Sequence, residues 1–364
     1  LILCFIADGR SIHTQRWIEY FAQRGHEVHL ITYDPMNRSI NGVTEYVIDS
    51  RWKNLYLAFF PRHITIKRLV KKIKPDLIHA HFVTKYGFHL WGIDIHPKIV
   101  SAWGDDILIL PKKNWLIHQY TKKILQISDY IHSVSHDISH HIITDFNIPS
   151  DKIHYIPFGT DTDIFSPRGK RDSIRKDTIE IFSNRGFFPV YDPKTLVQGF
   201  ALAYRKNPRL RLTLKGEGPD EQEIRNLVVS LGISDVVIFR KKTDYREVPK
   251  DYQNADIFVT TSLSDGSPVS VQEAMASGVP CIVTSVGGIP EIIENEKTGF
   301  LITPGSPEQL AYYIQRLGEN PDLSLKIGVA ARQTIVEHFQ WKNLMSHAEK
   351  DYLELIKTYR QDRS

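Results

Sequence analysis

Short apolar runs alternate with amphipathic stretches from the first residue onward. Residues 1–7, 27–32, 43–48, 76–81, 98–102, 130–134 and 153–156 are rich in Ile, Val, Leu and aromatic side chains, and most are bounded by Gly, Pro, Asp or Ser. Such runs predict strands. Between them, residues 14–24, 65–74 and 115–127 place apolar side chains at helical spacing. The pattern restarts in the second half: 178–183, 210–215, 236–239, 257–260 and 281–284 are strand-like, separated by helical stretches at 194–204, 221–231, 269–276 and 307–317. Regular alternation of strand and helix predicts a parallel sheet covered on both faces. Two such halves predict an α/β chain of two doubly wound, Rossmann-like domains facing across a cleft, the default ligand site. The run Ser166-Pro167-Arg168-Gly169-Lys170-Arg171-Asp172, rich in breakers and charge, is the expected linker, giving domains at 1–165 and 166–340.

Composition narrows the class. The chain has 364 residues, 41% hydrophobic and 24% charged, enough apolar material for two cores and unlike a disordered or fibrous protein. A net charge of +4 is too mild for a dedicated nucleic-acid binder. Cys4 and Cys281 both sit in apolar runs and cannot form a disulfide framework or a cysteine zinc site. The longest charge-free stretch, 274–290, is interrupted by Gly, Pro and Ser, so no membrane span is expected. The apolar start ends at Asp8-Gly9-Arg10, unlike a signal peptide, and a cytoplasmic chain is expected. Fourteen of the sixteen histidines precede residue 165. They suit recognition of a hydroxyl-rich ligand, with surface histidines as the plainer alternative.

The chemistry concentrates between Ser264 and Pro280. Ser267 is a good helix cap and Pro268 a good first helical residue, which leaves the N–H groups of Val269 and Ser270 pointing out of a helix start. With the macrodipole behind them, these groups form a diphosphate site built from backbone beside Gly266. Asp265 and Glu273 flank it. Acids beside a phosphate site repel phosphate, so they are expected to accept hydrogen bonds from sugar hydroxyls.

This acid–seven residues–acid segment resembles the acid motif of retaining glycosyltransferase family 4, which has the GT-B fold; Asp265 stands where a glutamate is usual. Gly25-His26-Glu27-Val28, Pro75-Asp76-Leu77-Ile78-His79-Ala80-His81, Ile156-Pro157-Phe158-Gly159-Thr160, Gly216-Glu217-Gly218-Pro219, Ala255-Asp256-Ile257-Phe258-Val259 and Gly287-Gly288-Ile289-Pro290-Glu291 resemble further family segments in the same order. The resemblance implies transfer of a hexosyl or N-acetylhexosaminyl group from a UDP- or GDP-sugar to a hydroxyl of a glycan, lipid-linked or small-molecule acceptor, in cell-envelope or polysaccharide synthesis. It gives Glu273 to the nucleotide ribose, Asp265 to the donor sugar and Arg185 to the diphosphate. The family's lysine is replaced by Tyr191, leaving Lys194 or Lys215 as the second cation. The loop at Gly9 is implied near the phosphates. His81, the catalytic candidate of the first domain, is implied at the acceptor or sugar, with His13, Trp103 and Asp105 as further acceptor contacts. A last helix in 341–364 is implied to return to the first domain. A nucleotide-sugar epimerase or hydrolase on this fold, or a catalytically silent nucleotide-sugar-binding subunit, are the alternatives.

No metal or other cofactor is expected. Asp161-Thr162-Asp163 has a metal-binding spacing but lies in a segment matching a structural part of the family, and His136 and His140 lack a third ligand. Gly9 stands alone where a dinucleotide fingerprint would need three glycines. The stretch 67–74 reads as a basic amphipathic helix whose Lys67, Arg68, Lys71 and Lys72 suit either an anionic membrane surface, with a peripheral place on its inner face, or a plain solvated helix face.

Overall fold

The computed structural model describes residues 1–48, 55–167 and 177–361. Most of the expected linker, 168–172, lies outside them. The chain forms two compact units, Leu1–Pro157 with Asn343–Ser364, and Phe158–Lys342.

The first unit holds strands β1 (Ile2–Ile6), β2 (Glu27–Thr32), β3 (Val43–Val47), β4 (Leu77–His81), β5 (Lys98–Ala102), β6 (Tyr130–Ser133) and β7 (Ile153–Tyr155). All pair in parallel in the order β3-β2-β1-β4-β5-β6-β7. Its helices are α1 (Ile12–Gln23), α2 (Leu55–Ile73), α3 (Asp105–Leu108), α4 (Leu110–Lys113), α5 (Trp115–Ile127) and α6 (His136–Phe146). Helix α2 begins well before the residue 65 that periodicity indicates. Pro61, a breaker on sequence grounds, sits inside it. Packing of Phe59 on the rings of His63 and His89, at 5.6 and 4.9 Å, holds this first half in place.

The second unit holds β8 (Ile179–Ser183), β9 (Leu210–Lys215), β10 (Val237–Arg240), β11 (Ile257–Thr260), β12 (Cys281–Thr284) and β13 (Phe300–Ile302), parallel in the order β10-β9-β8-β11-β12-β13. Helices α7 (Pro193–Tyr204), α8 (Glu221–Ser230) and α11 (Pro307–Glu319) share one apolar core with the sheet. Helices α9 (Val248–Asn254), α10 (Val269–Ala276) and α12 (Pro321–His338) share the other. Sequence periodicity does not mark α9 or α12: α9 is short and starts Val-Pro, and α12 is only weakly amphipathic. Strand order reverses between β8 and β11, so ligands are expected beyond the carboxyl ends of those two strands.

Helix α13 (Trp341–Gln361) supplies the first unit with a buried phenol. Its Tyr352 stacks on Phe21 at 4.8 Å and ends a proton-ordered chain through the sheet. His132 Nε2 lies 2.5 Å from the Ile156 carbonyl and must donate to it, so His132 Nδ1 accepts from Ser101 Oγ at 2.8 Å. Ser101 in turn accepts from His79 Nε2 at 2.7 Å, His79 Nδ1 accepts from the Tyr352 hydroxyl, and that oxygen accepts from Trp17 Nε1 at 3.1 Å. One tautomer assignment satisfies every group, with both histidines neutral. Burial, then the neighbouring histidines, keeps His79 well below its usual pKa; burial brings His132 down to about 4. The surface reading of the histidines therefore fails for His79, His81, His89 and His132, all buried.

Candidate functional site

Arg185 leaves the end of β8 and Asp265 follows β11, the two strands at the switch point of the second unit. Their side chains form an ion pair. The guanidinium also lies 3.4 Å from Ser270 Oγ and rests on the Tyr191 ring, 4.2 Å from its centroid. Burial works against the charge, but Asp265 outweighs it and holds the Arg185 pKa above its usual value. The buried Nε–H of Arg185 has no acceptor among the described residues. Gly287, at φ +51°, lets its loop close on Asp265: a Cβ there would lie 1.9 Å from the Asp265 carbonyl oxygen. The next N–H, of Gly288, donates to that same oxygen at 3.2 Å.

Helix α10 starts at Val269, one residue later than the sequence suggests. Pro268, with ψ 107°, occupies the cap position, and Ser267 does not cap; its Oγ accepts from Gln272 Nε2 at 3.0 Å. The N–H groups of Val269 and Ser270 still lack intrahelical acceptors by helix geometry. Buried Gly266 forms the turn before them.

One turn into α10, Glu273 is 4% exposed and takes two phenolic hydrogen bonds, from Tyr245 at 2.6 Å and Tyr252 at 2.9 Å. Tyr252 is fully buried among Phe165, Phe182 and Phe258, and its oxygen accepts from Asn184 Nδ2 at 3.0 Å. Burial and the Glu273 charge raise the Tyr252 pKa well above its usual value, so it stays a donor. Tyr245, Tyr252 and Asn184 are functional neighbours that sequence reasoning missed. No motif marks them, because they converge on Glu273 only through the sheet.

The two candidate lysines behave differently. Lys194 is exposed in the first turn of α7. Lys215 is buried, with its ammonium held by Asp251 and the Thr243 hydroxyl. A buried ammonium requires such a counter-charge, so Lys215 does not bring a free cation to Arg185. Tyr191 instead supports Arg185 from below. Gly216, at φ +151°, passes so close to Gly186 that a Cβ would lie 2.5 Å from the Gly186 Cα.

In the first unit, His81 is buried rather than open at a strand end. Its Nδ1 is 3.1 Å from Thr14 Oγ1, its Nε2 has no partner among the described residues, and burial lowers its pKa to about 3. Trp103 packs between His81 and His13, at 5.2 and 5.8 Å. Asp105 is exposed at the start of α3. The neighbouring Asp106, not singled out by sequence, is the buried anchor: it accepts from the N–H groups of Val83, Trp103 and Gly104 at 2.7, 3.0 and 2.9 Å. Burial nevertheless lifts its pKa to about 6. Gly9 is pinned between Asp34, whose carbonyl accepts its N–H at 2.8 Å, and Gln15, whose side chain donates to its carbonyl at 2.7 Å. Asp161 accepts from the N–H of Asp163, Asp163 pairs with Lys342, and His136 stacks on Tyr155.

Two parallel-sheet α/β units, the second with an arginine and a helix start at its switch point, fit the GT-B architecture. Comparison with known proteins agrees. A family model described as Glycosyl transferases group 1 matches residues 168–334, and one described as Glycosyl transferase 4-like matches 3–135. The two models match separate parts of the chain, and with the curated relatives they support a GT-B glycosyltransferase of the group 1, family 4-like kind. The chain is 28% identical to the N-acetyl-alpha-D-glucosaminyl L-malate synthase of Bacillus anthracis, over 92% of this chain and 91% of that one. Among solved structures, it resembles a sucrose-phosphate synthase from Thermosynechococcus elongatus (TM-score 0.81, 20% identity, 98% and 99% of the two chains). It is also similar to Anabaena HepE in complex with UDP (TM-score 0.81, 16% identity, 97% and 100%).

Proposed function

We propose that this glycosyltransferase moves a sugar from a nucleoside diphosphate sugar to an acceptor hydroxyl with retention of anomeric configuration. The observation that carries the reading is the convergence of Arg185, the start of α10, Asp265 and Glu273 beyond β8 and β11. The unpartnered Nε–H of Arg185 and the N–H groups of Val269 and Ser270 offer fixed donors for a diphosphate, whose charge grows as the glycosidic bond breaks. Glu273 takes the ribose hydroxyls and Asp265 the donor sugar. The first unit handles the acceptor, a glycan, lipid-linked or small hydroxyl compound, in cell-envelope or polysaccharide synthesis. With these donors at the diphosphate, no divalent ion is needed. A nucleotide ligand is supported by solved neighbours in complex with UDP, Anabaena HepE among them.

Calorimetry with UDP, GDP and ADP, followed by proton NMR of the product formed from the matching donor sugar, tests this. The expected result is binding of one nucleoside diphosphate, an α-linked product from an α-linked donor, and a rate unchanged by excess EDTA. Inversion of the anomeric centre, or loss of transfer in EDTA restored by magnesium, refutes the corresponding part.

A further inference from the structure

The basic run of α2 plays no part in the site above, and in the structure it belongs to a wider face of the first unit. Helices α2 and α5 flank the short turn Gly87–Leu90. His63 on α2 faces the ring of Trp91 just after this turn at 6.2 Å, and Phe88 within it meets Tyr120 of α5 at 5.6 Å. Both helices thus pack rings against this one short segment.

Its outward residues are of two kinds. Large apolar side chains stand in water: Phe60 is 62% exposed, Trp115 71% and Leu116 57%, with Ile64, Trp91 and Tyr120 close behind. Around them Lys67, Arg68, Lys71 and Lys72 on α2 are exposed, as are Lys112, Lys113 and Lys123 at α4 and α5. Helix α2 carries five cations and residues 110–127 carry four, and neither segment holds an aspartate or glutamate. In a chain whose net charge is only +4, this is a marked segregation. Two unfavourable features therefore coincide on one face: hydrated apolar surface and crowded like charge.

A single partner relieves both. We propose that this face docks on an anionic lipid bilayer, with Trp115, Leu116, Phe60 and Ile64 entering the boundary between headgroups and acyl chains and the lysines meeting lipid phosphates. Positions 60, 64, 67 and 71 recur at helical spacing, so the apolar and cationic parts of α2 share one side. Trp and Tyr with flanking lysines form the residue set of membrane interfaces, where an amphipathic ring and a snorkelling ammonium both find their medium. Among the described residues no helix is long and apolar enough to cross a membrane, so the contact is peripheral. The proposal stands independently of which sugar is transferred.

Co-sedimentation of the full chain with phosphatidylcholine vesicles, with and without phosphatidylglycerol, tests it. Binding to the anionic vesicles is expected to be at least about tenfold tighter and to weaken with salt, since exposed charges are screened over about 10 Å at 0.1 M. Lys112→Glu with Lys113→Glu lowers that binding by about tenfold or more. Trp115→Ser with Leu116→Ser lowers it by a similar factor while keeping the salt dependence, because it removes buried apolar area and no charge. Brominated lipid quenches tryptophan fluorescence in the parent and less in Trp115→Phe. Because the replaced residues are exposed, melting temperatures stay within a degree or two of the parent, about what a surface change produces. The proposal is overturned if the parent stays in the supernatant with anionic vesicles. It is equally overturned if only the charge variant binds less, which marks a surface for soluble polyanions.

Discussion

At the scale of single residues, the two site carboxylates occupy different environments, and this separates the roles proposed for them. Asp265 is paired with Arg185 at the rim of the site, whereas Glu273 is buried under two phenols. A ribose contact changes little as the glycosidic bond breaks, so Glu273→Ala is expected to weaken nucleoside diphosphate and donor sugar alike, by about 1.5–3 kcal/mol for a charge-assisted hydrogen bond. Asp265→Ala releases Arg185 for the diphosphate. It should leave nucleoside diphosphate affinity undiminished while lowering kcat, as a contact that strengthens in the transition state requires. Titration calorimetry beside initial rates reads both effects. The assignment fails if Asp265→Ala abolishes nucleotide binding and Glu273→Ala leaves it intact. Tyr191, standing where the resemblance implies a lysine, lies with its ring against the Arg185 guanidinium.

At the scale of elements, α13 is fastened to the first unit by polar groups as much as by apolar ones. Glu349 gathers Tyr20, Arg24 and His26, while Tyr352 reaches His79 and Trp17 in the core. Tyr352→Phe keeps the ring stack on Phe21 but removes the donor to the Nδ1 of His79 and the phenolic acceptor of the Trp17 Nε1–H. A loss of about 1–3 kcal/mol per orphaned buried group is expected, read as a lower urea midpoint for the first unit. An unchanged midpoint would mean that water or a shifted rotamer replaces the phenol.

At the scale of the whole molecule, buried histidines make the first unit sensitive to acid. His79, His81, His89 and His132 are held neutral by burial, with pKa values of about 3 for His81 and His89 and about 4 for His132. The unfolded chain protonates them near pH 6.5, so it binds more protons than the folded state below that value. Stability is then lost as pH falls from about 6.5 toward 4, by up to about 1.4 kcal/mol per histidine per pH unit. Asp106, raised to about 6, acts in the opposite direction and offsets about one histidine. The second unit has no histidine among its buried residues. Hydrogen exchange at pH 5 against pH 7.5 should therefore show β4–β6 losing protection well before β8–β12, and equal losses in both sheets refute the argument.

The sequence by itself determined the alternation of strand and helix, because buried parallel strands need unbroken apolar runs and their covering helices need one apolar side. It also marked Asp265, Glu273 and the start of α10, since a helix start and spaced acids are local features, whereas Arg185 was marked by the family resemblance. Only the tertiary structure decided what local features do not encode. Asp251, from another element, neutralises Lys215, and Tyr191 lies against Arg185. Tyr245 and Tyr252 cap Glu273 from outside its helix. The histidines of β4 and β6, open to a binding reading in the sequence, join a hydrogen-bonded chain completed by a tyrosine 273 positions from His79. A side chain's charge and hydrogen bonds depend on which elements the sheet brings against it, and that pairing is a property of the fold rather than of any stretch of sequence.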